Sequence, residues 1–114
     1  VDERQLEVLE HRVQCGLGGA VEPAAVGGAR ANGAQVIDVR SGSEHGFANI
    51  PGTLNIPVEE LRDRLDEIQL EDVVVYCQVG QRGHIATQIL KAHGAKVRNL
   101  DGGFITWQAA TSKI

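Results

Sequence analysis

The stretch that most restricts this chain is residues 73–90, Val73-Val74-Val75-Tyr76-Cys77-Gln78-Val79-Gly80-Gln81-Arg82-Gly83-His84-Ile85-Ala86-Thr87-Gln88-Ile89-Leu90. Three consecutive β-branched residues and a tyrosine read as a buried strand, because a strand covered on both faces has no polar side. Cys77 ends it, and a short loop containing Gly80 follows. Ile85, Ala86, Ile89 and Leu90 then repeat at helical spacing, which predicts a helix starting near Arg82 or Gly83. Cys77 is thereby expected at the carboxyl end of a strand, facing the amino end of a helix, where open α/β sheets place their sites.

Backbone N–H groups at a helix start and in a tight Gly-containing turn can converge on the Cys77 sulfur. Arg82 brings a full positive charge nearby. Both favour thiolate over thiol. A thiolate in such a cradle is a nucleophile for an electron-poor, negatively charged group. By default a cysteine ending a buried strand is only a small apolar residue. The loop glycine, the arginine and the helix start together argue against that default.

The rest of the chain alternates helices and strands. Residues 1–14 read as a helix with Leu6, Leu9 and Val13 on one face, stopped by Cys15-Gly16-Leu17-Gly18-Gly19. That segment, residues 1–20, is read as a capping helix or linker remnant preceding one domain over 21–114, with a docking helix as the sharper alternative. Pro23 opens a short helix to Arg30, ended by Asn32-Gly33. Gln35–Val39 is a central strand. Asp38 and Arg40 lie two apart and point to the same side of it. Asp38 is read as a buried acceptor giving structural support; Arg40 faces either the Cys77 mouth or the loop that follows, and the sequence leaves these two readings even. Ser41-Gly42-Ser43-Glu44 is a helix start. Leu54–Ile56 is a short strand closed by Pro57. Val58, Leu61, Leu65 and Ile68 form a helical stripe under a charged, solvated surface. Gly94 caps the helix over 83–93, Lys96–Leu100 is the last strand, and a final helix carries Phe104 and Trp107, the latter expected in the core. This alternation predicts a three-layer α/β/α sandwich with a mostly parallel central sheet, and Cys77 is expected at one edge of its carboxyl face.

At 114 residues the chain holds one domain. Its net charge of −4 argues against nucleic acid or an anionic membrane as the main partner. No apolar run has the length of a membrane span and the opening Val1-Asp2-Glu3-Arg4 is not an export signal, so the expected location is cytoplasmic. The chain contains no methionine, which leads us to expect a chain processed or cut from a longer product. Cys15 and Cys77 are read as reduced thiols, and the histidines and cysteines have no zinc spacing. With no Gly-x-Gly-x-x-Gly after a strand, no dinucleotide site is expected.

Four segments carry a family resemblance. Cys77-x-x-Gly80-x-Arg82 resembles the active-site loop of rhodanese-like sulfurtransferases. Val36-Ile37-Asp38-Val39-Arg40 resembles the family's strand-ending Asp-x-Arg. Ile50-Pro51-Gly52-Thr53-Leu54-Asn55-Ile56-Pro57 resembles its Ile-Pro-Gly segment, and Leu100-Asp101-Gly102-Gly103-Phe104-Ile105-Thr106-Trp107 its Leu-x-Gly-Gly ending. All four occur in the family's order between about residue 21 and residue 110. The loop wording is particularly similar to rhodanese domains fused to coenzyme A-disulfide reductases. The chain departs from the pattern at Ala48-Asn49, where Gly-His is usual, and at His45, where an aromatic is usual.

The resemblance implies a rhodanese-like fold and a sulfurtransferase. Cys77 takes the outer sulfur of thiosulfate, a persulfide or a polysulfide and passes it to a thiol or a carrier protein. Gln78, Val79, Gly80, Gln81, Arg82 and Gly83, with Arg40, are the expected substrate-binding residues; neither metal nor organic cofactor is expected. His84, on the helix past the loop, is read as a surface residue rather than a base. Neutral Gln78, Val79 and Gln81 make the mouth less cationic than an Arg- or Lys-rich loop, so thiosulfate is expected to turn over weakly and persulfides better. Competing readings are a phosphatase of the same fold, disfavoured because its Cys-x5-Arg loop is one residue longer; a non-catalytic binding or regulatory module, disfavoured by the retained cysteine; and a sulfur-relay domain of a flavin disulfide reductase fusion.

Overall fold

The computed structural model describes residues 20–111. The expected N-terminal helix, the Gly-rich connection and Cys15 lie outside the described residues. Five strands, β1 (Ala20–Val21), β2 (Gln35–Asp38), β3 (Leu54–Asn55), β4 (Val73–Tyr76) and β5 (Val97–Leu100), form one sheet in the order β1-β5-β4-β2-β3. Every neighbouring pair is parallel. The helices are α1 (Val26–Ala31), α2 (Gly42–Phe47), α3 (Gln81–Ala92) and α4 (Gly103–Thr111), with 3-10 turns over Pro23–Ala25 and Val58–Glu67.

β4 is the middle strand, and all four of its side chains are fully buried. The pleat sends Val73, Val75 and then Cys77 into one core, with Leu61, Ala86 and Leu90 of the covering helices. Val74 and Tyr76 go into the other, with Val26 and Phe104. Burying each such side chain contributes about 1.5–3 kcal/mol, which is why an all-apolar strand is forced to the centre. Cys77 therefore lies at the carboxyl end of the central strand and not at an edge of the sheet. Chain order reverses between β2 and β4: β3 lies outside β2, while β5 and β1 lie outside β4. The ends of β2 and β4 thus flank the crevice that such a reversal opens.

Three local readings need correction. Val58–Glu67 is a 3-10 helix with a break at Arg64 (φ −125°, ψ 28°) rather than a regular α-helix. Its ends close by three-residue bonds, Glu60 N–H to the Pro57 carbonyl and Ile68 N–H to that of Leu65. Leu61 still plugs the core, and Arg64 pairs on the outside with Glu60 and Glu67. Ile85 is 50% exposed, so the inner face of α3 is Gly83, Ala86, Thr87, Ile89 and Leu90. Trp107 is only half-buried; it stacks on Phe104 (5.7 Å between centroids) at the rim of the core.

Candidate active site

The loop after β4 is built from both sides. Gly80 N–H donates to Cys77 Sγ at 3.0 Å. Gly80 has φ +114°, a conformation that costs any residue with a Cβ, and it caps the start of α3, its carbonyl accepting from His84 N–H at 2.9 Å. From beneath, the first turn of α4 holds the loop: Phe104 N–H donates to the Cys77 carbonyl (2.7 Å) and Ile105 N–H to the Gln78 carbonyl (3.1 Å). These peptides are trans and planar, so tying their carbonyls to α4 turns the N–H groups of Gln78 and Val79 away from it. Gly103 makes this approach possible. A Cβ there would sit 2.5 Å from the Gln78 carbonyl oxygen and 2.7 Å from that of Cys77.

Arg40 joins the β2 end to this loop. Its Nε donates to both oxygens of Asp38 (2.9 and 3.1 Å), and Nη2 donates to Asp38 Oδ2 (2.7 Å) and to the Ala48 carbonyl (2.6 Å). Nη1 donates to Gln78 Oε1 at 3.1 Å. The guanidinium lies 4.5 Å from the Phe104 ring centroid and 5.6 Å from that of Tyr76. Burial works against the Arg40 charge, but the hydrogen bonds to Asp38 and the charge on that carboxylate outweigh it, and its pKa is raised. One Arg40 side chain thus fastens Ala48 at the end of α2 and reaches Gln78 in the Cys77 loop. Asp38 is fully buried and accepts these bonds from Arg40; His45 Nδ1 meets its Oδ2 at 2.8 Å. The unusual Asn49 has a local role: its Nδ2 donates to the His45 carbonyl at 2.8 Å, closing the end of α2.

Arg82 is placed differently from expectation. It does not offer an unshared charge: Nη1 and Nη2 donate to Glu44 Oε1 (2.6 Å) and Oε2 (2.9 Å). Glu44 in turn accepts from Ser41 N–H, completing a capping box at the start of α2. The Arg82 guanidinium holds Glu44 down to about 2. Arg82 is raised above its ordinary value, chiefly by the hydrogen bonds to Glu44, against burial, and in smaller part by the charges of Glu44, Cys77 and Asp38.

Of the remaining loop residues, Val79 is 57% exposed and Gln81 is exposed. Gly83 is buried against the Asn99 side chain of β5, so it serves helix–sheet packing. Asn99 was not singled out from sequence, yet its Nδ2 donates to the Gly80 carbonyl at 3.3 Å and its Oδ1 is a buried acceptor without a partner. His84 is exposed on α3, beside Gln88. Beside the loop opens a cleft of about 480 Å³ walled by Phe47, Ala48 and Phe104, with Arg40, Glu44 and Gln78 among its polar lining. Cys77 is 1% exposed and carries no disulfide. Among the described residues no cluster of His, Cys, Asp and Glu could hold a metal ion, and no helix is long and apolar enough to cross a membrane.

Residues 24–110 match the model of the Rhodanese-like domain, from the first 3-10 turn into α4. The chain belongs to the rhodanese-like family.

Among its rhodanese-like relatives is the human thiosulfate:glutathione sulfurtransferase, 38% identical in a 90-position alignment that covers 65% of this chain and 78% of that protein. An HTH-type transcriptional regulator of Mycobacterium tuberculosis is 37% identical over 78 residues, 66% of this chain and 34% of the regulator. The crystal structure of reduced CoADR-RHD from Bacillus anthracis superposes with a TM-score of 0.76 at 38% identity, covering 82% of this chain and 17% of that one. The rhodanese-like chain thus spans 34% of the regulator and 17% of the CoADR-RHD chain. The sulfurtransferase among them shares the family that the Cys77 loop suggested.

Proposed function

We propose that the chain is a sulfurtransferase that carries sulfane sulfur on Cys77. The observation that carries this reading is the 3.0 Å contact from Gly80 N–H to Cys77 Sγ, in a loop whose carbonyls are drawn off by α4. Donors of this kind stabilise negative charge on sulfur before and after the reaction. Cys77 thiolate attacks the outer sulfur of the donor. A new S–S bond forms, the bond to the donor's inner sulfur breaks, and its electron pair leaves on sulfite or on a thiolate. An acceptor thiolate then attacks the outer sulfur of the Cys77 persulfide and expels Cys77 as thiolate. The N–H groups of Gln78, Val79 and Gly80 cradle the sulfur, Gly80 and Gly103 permit the loop, and Arg40 and Asp38 fix Gln78. The acceptor is a small thiol or a carrier protein, and the chemistry suits a reducing cytoplasm. Organic persulfides are better donors than thiosulfate.

Intact-protein mass tests this. After incubation with thiosulfate or with glutathione persulfide, wild type is expected to gain one sulfur that cyanide removes, and Cys77→Ser to gain none. No gain with either donor overturns the reading. A kcat/KM for thiosulfate above that for glutathione persulfide overturns the stated donor preference.

A further inference from the structure

Three features of the mouth bear on which donor it takes. Arg40 is the cation lining the cleft among the described residues, and Asp38 already neutralises it from within the fold. Arg82, the cation of the loop itself, is held by both oxygens of Glu44. Glu44 sits on α2, 38 residues from Arg82, and also lines the cleft. A dianion arriving at Cys77 therefore meets a carboxylate, and must detach Arg82 from Glu44 before it can use that charge. An organic persulfide such as that of glutathione carries its carboxylates away from the reacting sulfur and can lay its body along Phe47, Ala48 and Phe104.

We propose that Glu44 is a specificity-determining positioning residue: by keeping the Arg82 guanidinium paired, it disfavours small dianionic donors such as thiosulfate relative to larger organic persulfides. This rests on the sulfurtransferase reading and adds to it the residue that sets the donor class. The geometry offers a variant that removes the charge and little else. A capping box takes Gln as well as Glu, so Glu44→Gln retains an acceptor for the Ser41 N–H and the start of α2, while Arg82 loses its charged partner.

The test separates the anion site from turnover. In a Cys77→Ser background, calorimetry with thiosulfate reads binding alone and needs no sulfur transfer. Adding Glu44→Gln is expected to tighten thiosulfate about tenfold, equivalent to about 1.4 kcal/mol. Adding Arg82→Ala to that pair of changes is expected to remove the gain, because the effect runs through the guanidinium. With Cys77 restored, Glu44→Gln is expected to raise the ratio of kcat/KM for thiosulfate to that for glutathione persulfide by a similar factor. Its thiosulfate rate should also fall more steeply with added salt than that of wild type. Thiosulfate binding that stays the same or weakens overturns the inference, as does a gain that survives Arg82→Ala. Glu44→Ala, which removes the box as well, gives a second route to the unpaired guanidinium. Failure of the parent reading has a different signature, namely no sulfur on wild-type Cys77.

Discussion

Arg40 and Arg82 flank the same loop and are fixed in opposite ways. Arg40 is 2% exposed, bonded to Asp38, Ala48 and Gln78, with Phe104 beneath its guanidinium. Arg82 is 37% exposed along its side chain and held by Glu44, itself 35% exposed. A buried, fully bonded ion pair is costly to break from one side, because the remaining partner cannot return to water. A half-exposed pair is screened and can open. The first arginine acts as a structural member that positions the loop; the second is a charge the loop can gain or lose. The motif Cys77-x-x-Gly80-x-Arg82 names only the second, and it does not reveal the carboxylate that occupies it.

Removing the buried arginine gives the largest expected effect on stability. Arg40→Ala leaves the Asp38 carboxylate buried without its main partner and is expected to cost roughly 3–5 kcal/mol, read as a drop in the denaturant midpoint. A loss below about 1 kcal/mol would show that His45 alone supports Asp38. The next effect lies under the loop. Gly103→Ala brings a methyl group against the Cys77 and Gln78 carbonyls at φ +70° and is expected to cost about 1–3 kcal/mol. It should also slow persulfide formation, because the displaced carbonyls no longer hold the loop; stopped-flow transfer from glutathione persulfide checks this, and an unchanged rate would mean that α4 does not position the nucleophile.

The smallest stability effect belongs to the Arg82 side. Glu44→Gln is expected to cost no more than about 1 kcal/mol at neutral pH, because the pair is more than a third exposed. Its pH dependence sharpens the contrast. Glu44 titrates at about 2 in the folded protein against an ordinary 4.5, so it binds its proton less readily when folded than when unfolded. Its contribution is fully present above pH 4.5 and is lost as pH falls towards about 2. Thermal midpoints of wild type and Glu44→Gln should therefore converge across that window. A gap that stays constant from pH 5 down to about 2 would assign it to packing rather than charge.

Much of this protein is legible because local chemistry had one solution. Val73–Tyr76 is buried on both faces, Gly80 takes the left-handed turn, Ser41 and Glu44 form the capping box, and Gly94 ends α3 at φ +85°. Local pattern alone specifies the set of elements, their parallel α/β arrangement and the cysteine at a strand end opposite a helix start. Each follows from periodicity, burial or backbone conformation within a dozen residues. The strand order that puts Cys77 at the middle of the sheet, the α4 turn that grips its loop and the Glu44 that pairs with Arg82 emerge with the assembled fold. These depend on contacts between residues far apart in the chain, such as Gly103 with Gln78 and Glu44 with Arg82, and no local pattern encodes which distant residue arrives. Ile85 and the 3-10 course of Val58–Glu67 went astray for the same reason. A helical stripe says which residues can face inward together, but the neighbouring surfaces decide which of them do.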